Sequence, residues 1–93
     1  MKIEYDPNKR DATLKTRGLD FEDIRHILDG ETLLVQQDTR CPYPEARFNA
    51  LGMLQKQLVH FTFCLRGEAI RIISMRPANR KERISYEKES ANR

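Results

Sequence analysis

This sequence lacks any apolar run long enough to cross a bilayer, so it is read as a protein without a membrane span. Its first ten residues, MKIEYDPNKR, carry no apolar core of the kind a secretory signal needs, and a cytoplasmic location is expected. Cysteine is scarce: Cys41 and Cys64 fall at no metal or redox spacing and read as free thiols of a reducing compartment. The four glycines are scattered, which excludes a glycine-rich phosphate loop, and tryptophan is absent. The two histidines, His26 and His60, join no carboxylate cluster at ligand spacing, so no metal and no other cofactor is expected. Repeats and low-complexity tracts are missing as well.

What the sequence has is charge. Charged residues make up 33% of it against 39% hydrophobic, the balance of a folded soluble domain, and 93 residues suit one domain spanning 1–93. The net charge of +3 is unevenly placed. Residues 1–65 hold nine Lys and Arg against ten Asp and Glu, whereas residues 66–93 hold eight against four. A basic C-terminal third points to an anionic partner, nucleic acid or an acidic protein.

Local patterns predict the order β-α-α-β-β-β-β-α, an α+β fold. Residues 2–5 alternate as a strand, and Asp6-Pro7 opens a helix that runs to Arg17 and stops at Gly18. Asp20 caps a second helix with an apolar stripe of Phe21, Ile24, Ile27 and Leu28, ended by Gly30. A short strand at Leu33–Val35 precedes a polar loop from Gln36 to Pro44. Strands are then predicted over Arg47–Leu54, Gln57–Leu65 and Ala69–Met75, an antiparallel meander with turns at Gln55-Lys56 and Arg66-Gly67-Glu68. Pro77 ends the last strand, and Asn79 with Glu82 forms a reciprocal cap for a helix over Arg80–Ser90.

The strand–turn–helix corner concentrates arginine, whose planar fork matches phosphate oxygens. Strict alternation puts Ile70, Ile72, Ser74 and Arg76 on one strand face and Arg71 on the other, so Arg71 is read as structural first. Arg76, Arg80 and Arg83 are expected to converge at the helix N-terminus, where free N–H groups also favour an anion. His60 shares a strand face with Thr62, Cys64 and Arg66 and suits proton transfer near neutral pH. Arg47, on the preceding strand, can face the same side.

Several stretches together resemble one family. IEYDPNK looks like its N-terminal strand and helix start, LKTRGLDFEDIRHIL its Lys-His-Gly region, and EARFNALG its Glu-x-Arg-Phe-x-x-Ile-Gly strand. IRIISMRPANRKERISYE is close to its Ile-Arg-Ile-Ile-Ser-Ala-Arg signature with the following Glu-Arg-x-x-Tyr. The family is that of BrnT toxins from type II toxin–antitoxin modules, and the resemblance covers nearly the whole sequence. It implies a RelE-like fold with the meander sheet packed against helices, and an endoribonuclease that cuts RNA and halts translation. It further implies a hetero-oligomer with a BrnA-like, ribbon-helix-helix antitoxin, through which alone operator DNA is contacted. The positions carried over are Arg47, Arg71, Ser74, Arg76, Glu82, Arg83 and Tyr86. Thr13, Thr16 and Arg17 depart from the family pattern, as does Met75.

With the residue chemistry added, the expected catalytic set is Arg76, Arg83, Tyr86, His60 and Glu82, and the expected RNA-binding set is Arg47, Arg71, Arg80 and Lys81. Arginines would stabilise the phosphorane, and His60, Tyr86 or Glu82 would move protons, a choice the residues leave open. Cleavage by the RNA's own 2′-OH needs no metal. Two other readings fit the same charge pattern: a non-catalytic module binding nucleic acid or an acidic protein, and a same-fold toxin with a non-RNA target.

Overall fold

The computed structural model describes residues 2–30 and 32–91. Strand β1 (Lys2–Tyr5) is followed by helix α1 (Pro7–Arg17), a 3-10 turn at Phe21–Asp23, and a short helix α2 (Ile24–Leu28). Strands β2 (Leu33–Asp38), β3 (Arg47–Leu54), β4 (Gln57–Arg66) and β5 (Ala69–Pro77) come next, and helix α3 (Arg80–Ala91) closes the order. The chain thus has the expected α+β order, and β2 to β5 form the expected antiparallel meander. The sheet order is β1-β5-β4-β3-β2, with β1 returning to pair in parallel with β5. Among the described residues no helix is long and apolar enough to cross a membrane.

The caps act as their chemistry dictates. Asp6 accepts from the Asn8 N–H at 2.9 Å, and Gly18 takes the left-handed conformation (φ 69°) that ends α1. Asp20 accepts from the Glu22 N–H at 3.0 Å, and Arg10 of α1 grips the same carboxylate with two hydrogen bonds of 2.9 and 2.8 Å. The single helix expected after Asp20 is instead the tight 3-10 turn followed by α2. That path buries Phe21, Ile24 and Ile27 against one face of the sheet, with Ala50, Val59, Phe61, Phe63, Ile70, Ile72 and Met75.

Three strand boundaries differ from expectation. β2 continues through Asp38, because Gln36, Gln37 and Asp38 pair with Asn49, Phe48 and Arg47. The Asp38 carboxylate is buried and accepts from the Arg40 guanidinium at 2.9 and 2.7 Å and from the Tyr43 hydroxyl at 3.2 Å. A buried anion held this way folds the supposed loop back on the strand end. β4 takes in Arg66, and β5 runs to Pro77, where a missing N–H costs a terminal strand position little.

The fourth difference matters most. The pairing of β4 with β5 steps from Thr62↔Ser74 to Phe63↔Ile72, leaving Ile73 as an extra residue in β5. A bulge of this kind resets the alternation. Ile72 and Met75 therefore both face the core, and Arg71, Ser74 and Arg76 all face the other side. Arg71 is not segregated from Arg76 as strict alternation predicted. Beyond the reach of β1, Lys9 and Arg17 of α1 donate to the carbonyls of Ile73 and Met75, at 3.2 and 2.7 Å. Arg17, a departure from the family pattern, is thus tied to the backbone of the bulged strand.

Gly52 of β3 lies under α2, where an added Cβ would overlap Ile27 Cγ2 and press on Leu33 Cδ1. Gly52→Ala is expected to cost about 1–3 kcal/mol through overpacking, read as a lower urea midpoint at unchanged slope. An unaltered midpoint would show that α2 can shift away freely.

Candidate functional site

The sheet face opposite α1 and α2 is covered in part by α3. Leu58, Ala78 and Tyr86 form a second apolar cluster there, with Leu34 and Leu51 packed against it. Beside this cluster a groove of about 1080 Å³ runs between α3 and strands β2 and β3. Its lining includes Asn49, Leu51 and His60 from the sheet, Arg40 from the segment after β2, and Lys81 and Glu82 from α3.

The registers arrange the groove floor in rows, since directly paired residues share a face. One row runs Leu34, Leu51, His60, Arg76 from β2 to β5. The next runs Gln36, Asn49, Thr62, Ser74. Beyond it lie the pairs Asp38↔Arg47 and Cys64↔Arg71. The floor is thus a neutral polar row, with Arg76 and its partner Glu82 on one side and Arg47, Arg71 and the Asp38 carboxylate on the other.

Arg76 ends the first row, on β5. It stands directly opposite His60. Its guanidinium donates to Glu82 Oε1 and Oε2 at 2.8 and 2.9 Å, a bidentate pair that fixes its plane. Glu82 also closes the expected cap: the Asn79 N–H donates to it at 2.9 Å, and the Glu82 N–H donates to Asn79 Oδ1 at 2.8 Å. One carboxylate therefore anchors both the start of α3 and the arginine. The Arg76 pair, ahead of the cap hydrogen bond, draws the Glu82 pKa down from 4.5 to about 2 despite partial burial. Glu82 is accordingly an anion at neutral pH and a poor proton donor.

His60 is nearly enclosed, with its side chain 13% exposed and its Nε2 3.9 Å from Glu82 Oε2. Burial first, and Arg76 second, push its pKa below the ordinary 6.5, against the opposing pull of Glu82. The imidazole is thus neutral at pH 7, with a free lone pair. Its Nδ1 is buried and without a hydrogen-bond partner among the described residues. An unpaired buried polar atom costs stability, so it is tolerated where something else requires the residue.

The other expected residues fall in different places. Arg71 lies on the groove face of β5. Arg47 faces the same way, its Cζ 4.4 Å from the centroid of the Tyr43 ring. Lys81 and Arg80 are exposed in the first turn of α3, with Lys81 on the groove rim. Arg83 does not join Arg76: it lines a separate cleft with Met53, Lys56, Leu58 and Tyr86. The helix period explains this, because Glu82, Ser85 and Glu89 take the groove side of α3 while Arg83 and Glu87 take the other. Tyr86 is buried, and its hydroxyl donates to the Thr32 carbonyl at 2.9 Å, pinning α3 to the sheet. Among the described residues no ion pair or side-chain hydrogen bond engages Arg71, Arg80, Lys81 or Arg83.

Two groove residues were not among those expected. Asn49 is two positions beyond Arg47 on one strand, so its face was readable from period two alone. Arg40 reaches the groove because of the turn that Asp38 organises, and no local pattern signals that.

Replacing Glu82 by Gln tests the cluster. In the wild type the lowered Glu82 pKa gives stability that is complete above pH 4.5 and lost as pH falls toward about 2. Glu82→Gln should remove that part of the acid titration and cost about 1 kcal/mol from the weakened cap. Because Glu82 raises the His60 pKa, the same change should lower that pKa further in an NMR titration, whereas Arg76→Ala should raise it. A His60 pKa that ignores both changes would show that the three groups do not interact.

A model of the family described as "Ribonuclease toxin, BrnT, of type II toxin-antitoxin system" matches residues 5–82. A search of curated proteins finds no match.

Proposed function

The chain belongs to the BrnT family of type II toxin–antitoxin ribonuclease toxins, and from that premise we propose that it is a metal-independent endoribonuclease working in the groove beside α3. Arg76 placed directly opposite the neutral His60 is the observation that carries this reading. His60 Nε2 takes the proton from a ribose 2′-OH, the O2′–P bond forms in line, and the P–O5′ bond breaks. The products are a 2′,3′-cyclic phosphate and a 5′-OH, whose oxygen takes its proton from solvent water. Arg76 stabilises the negative charge that grows on the phosphorane oxygens. Glu82 holds the guanidinium plane ready, so little side-chain freedom is lost when RNA arrives, and it steadies the imidazolium once His60 is protonated.

Arg47, Arg71, Lys81 and Arg40 carry the backbone on either side of the scissile phosphate, and Arg80 extends that charge around the helix start. Tyr86 holds α3 in position, and Arg83 contributes from the far flank of the helix without meeting the scissile phosphate. Cleavage of messenger RNA halts translation in the cytoplasm, and a BrnA-type antitoxin neutralises the toxin while carrying the operator-binding domain.

The test is digestion of a defined RNA in the presence of EDTA. The wild type should cut it. Arg76→Ala should slow cleavage about 10²–10³-fold, and His60→Gln about 10²–10⁴-fold, both abolishing growth arrest while Arg83→Ala keeps most of it. The His60 base is fully available above pH 6.5 and is lost as pH falls through its lowered pKa. The rising limb of kcat/KM should therefore lie on the acid side of an ordinary histidine and vanish in His60→Gln. RNA that is retarded on a gel but left intact would replace this reading with a binding module.

A further inference from the structure

The row beside His60 and Arg76 has a feature that cleavage itself does not use. The Thr62 hydroxyl, on a side chain of a buried residue, donates to Asn49 Oδ1 at 2.7 Å. In that bond the Asn49 carbonyl oxygen is the atom turned toward Thr62. Its carbonyl is spent on Thr62, and its NH₂ group, which nothing among the described residues accepts from, is left on the groove side. A fixed amide with two unspent donors is a reading head for acceptor atoms. Its position is informative as well. Asn49 is the diagonal neighbour of His60 across β3 and β4, about 7–8 Å away, which is the scale of one nucleotide. Leu34 and Leu51 supply an apolar surface next to it on which a base can lie. The cationic positions sit in the rows on either side, so the neutral row is where a base, rather than a phosphate, avoids leaving charge unmatched.

We propose that Asn49 is a specificity-determining residue that selects the nucleotide next to the scissile phosphate by donating to a base carbonyl oxygen, and that Thr62 is the residue that positions it. This rests on the ribonuclease reading above. Guanine O6 and uracil O4 accept from such a donor, while the amino groups of adenine and cytosine at the same edge present hydrogens to it and are rejected. The positions of Arg76 and His60 do not depend on this choice, so preference and rate are separable.

The experiment digests a pool of random-sequence RNA with the full chain and maps the cut sites by sequencing. The wild type should favour guanine or uracil at one position flanking the cut. Asn49→Asp keeps the shape and still accepts from Thr62, but replaces the donors by an acceptor, and should shift that position toward adenine or cytosine by roughly tenfold. Thr62→Val should relax the preference, whereas Thr62→Ser, which keeps the hydroxyl, should retain it. If Asn49→Asp is too slow to map, the Thr62 pair decides. An unchanged preference in Asn49→Asp and in Thr62→Val, at whatever rate, overturns the assignment while leaving the ribonuclease reading in place. So does a wild type that cuts without any flanking preference. A wild type that leaves RNA intact overturns the ribonuclease reading itself, and the assignment with it.

Discussion

One extra residue in β5, Ile73, decides which side chains the core keeps and which the groove receives. Without it, the core would have to choose between Ile72 and Met75, and burying one would expose the other. With it, both lie against Phe61 and Phe63, and the polar positions between and beside them turn together to the opposite face. Arg71, Ser74 and Arg76 share one surface for that reason. The irregular strand is held from outside by α1, whose Lys9 and Arg17 satisfy carbonyls that β1 is too short to reach. Local packing, edge satisfaction and site geometry therefore depend on the same residue insertion.

The second dependency runs through Glu82. A helix cap ordinarily serves its own helix, but this one also aims an arginine and sits beside a histidine. Helix placement and guanidinium orientation are thus coupled by one carboxylate. Three unlike groups settle each other's protonation there: an anion far below its usual range, a permanent cation, and an imidazole kept neutral by burial.

Much of this was legible in the residues. Asp6-Pro7, Gly18, and Asn79 with Glu82 signal their helix ends through local hydrogen-bond chemistry, which needs no tertiary context. Period-two patterns were sufficient for β3 and β4, whereas the shared face of Arg47 and His60 depends on the register between the two strands. What escaped depends on distant partners. The Ile73 bulge brings Ile72 and Met75 to the same core face, and alternation counted along one strand cannot register a shift that is defined by pairing with β4. The extension of β2 to Asp38 rests on a buried carboxylate satisfied by Arg40 and Tyr43. Arg83 was expected to converge with Arg76 at the helix N-terminus, but α3 turns it to the far flank. In the groove, the pairing of His60 with Arg76 and the bond from Thr62 to Asn49 both cross strands, so they depend on a register that no single strand states.

The attachment of α3 has a further consequence. Tyr86 is the buried residue of this helix among those described, and its hydroxyl-to-carbonyl bond, the small cluster around Leu58 and Ala78 and the Arg76–Glu82 pair hold the helix to the sheet. The main core on the other face of the sheet contains no residue of α3. Detaching the helix would thus expose far less apolar surface than unfolding the domain, which makes α3 a separate cooperative unit with a lower opening free energy. Its amides would exchange with solvent ahead of those in β4 and β5, and each such opening would carry Glu82 away from Arg76 while the sheet stays folded.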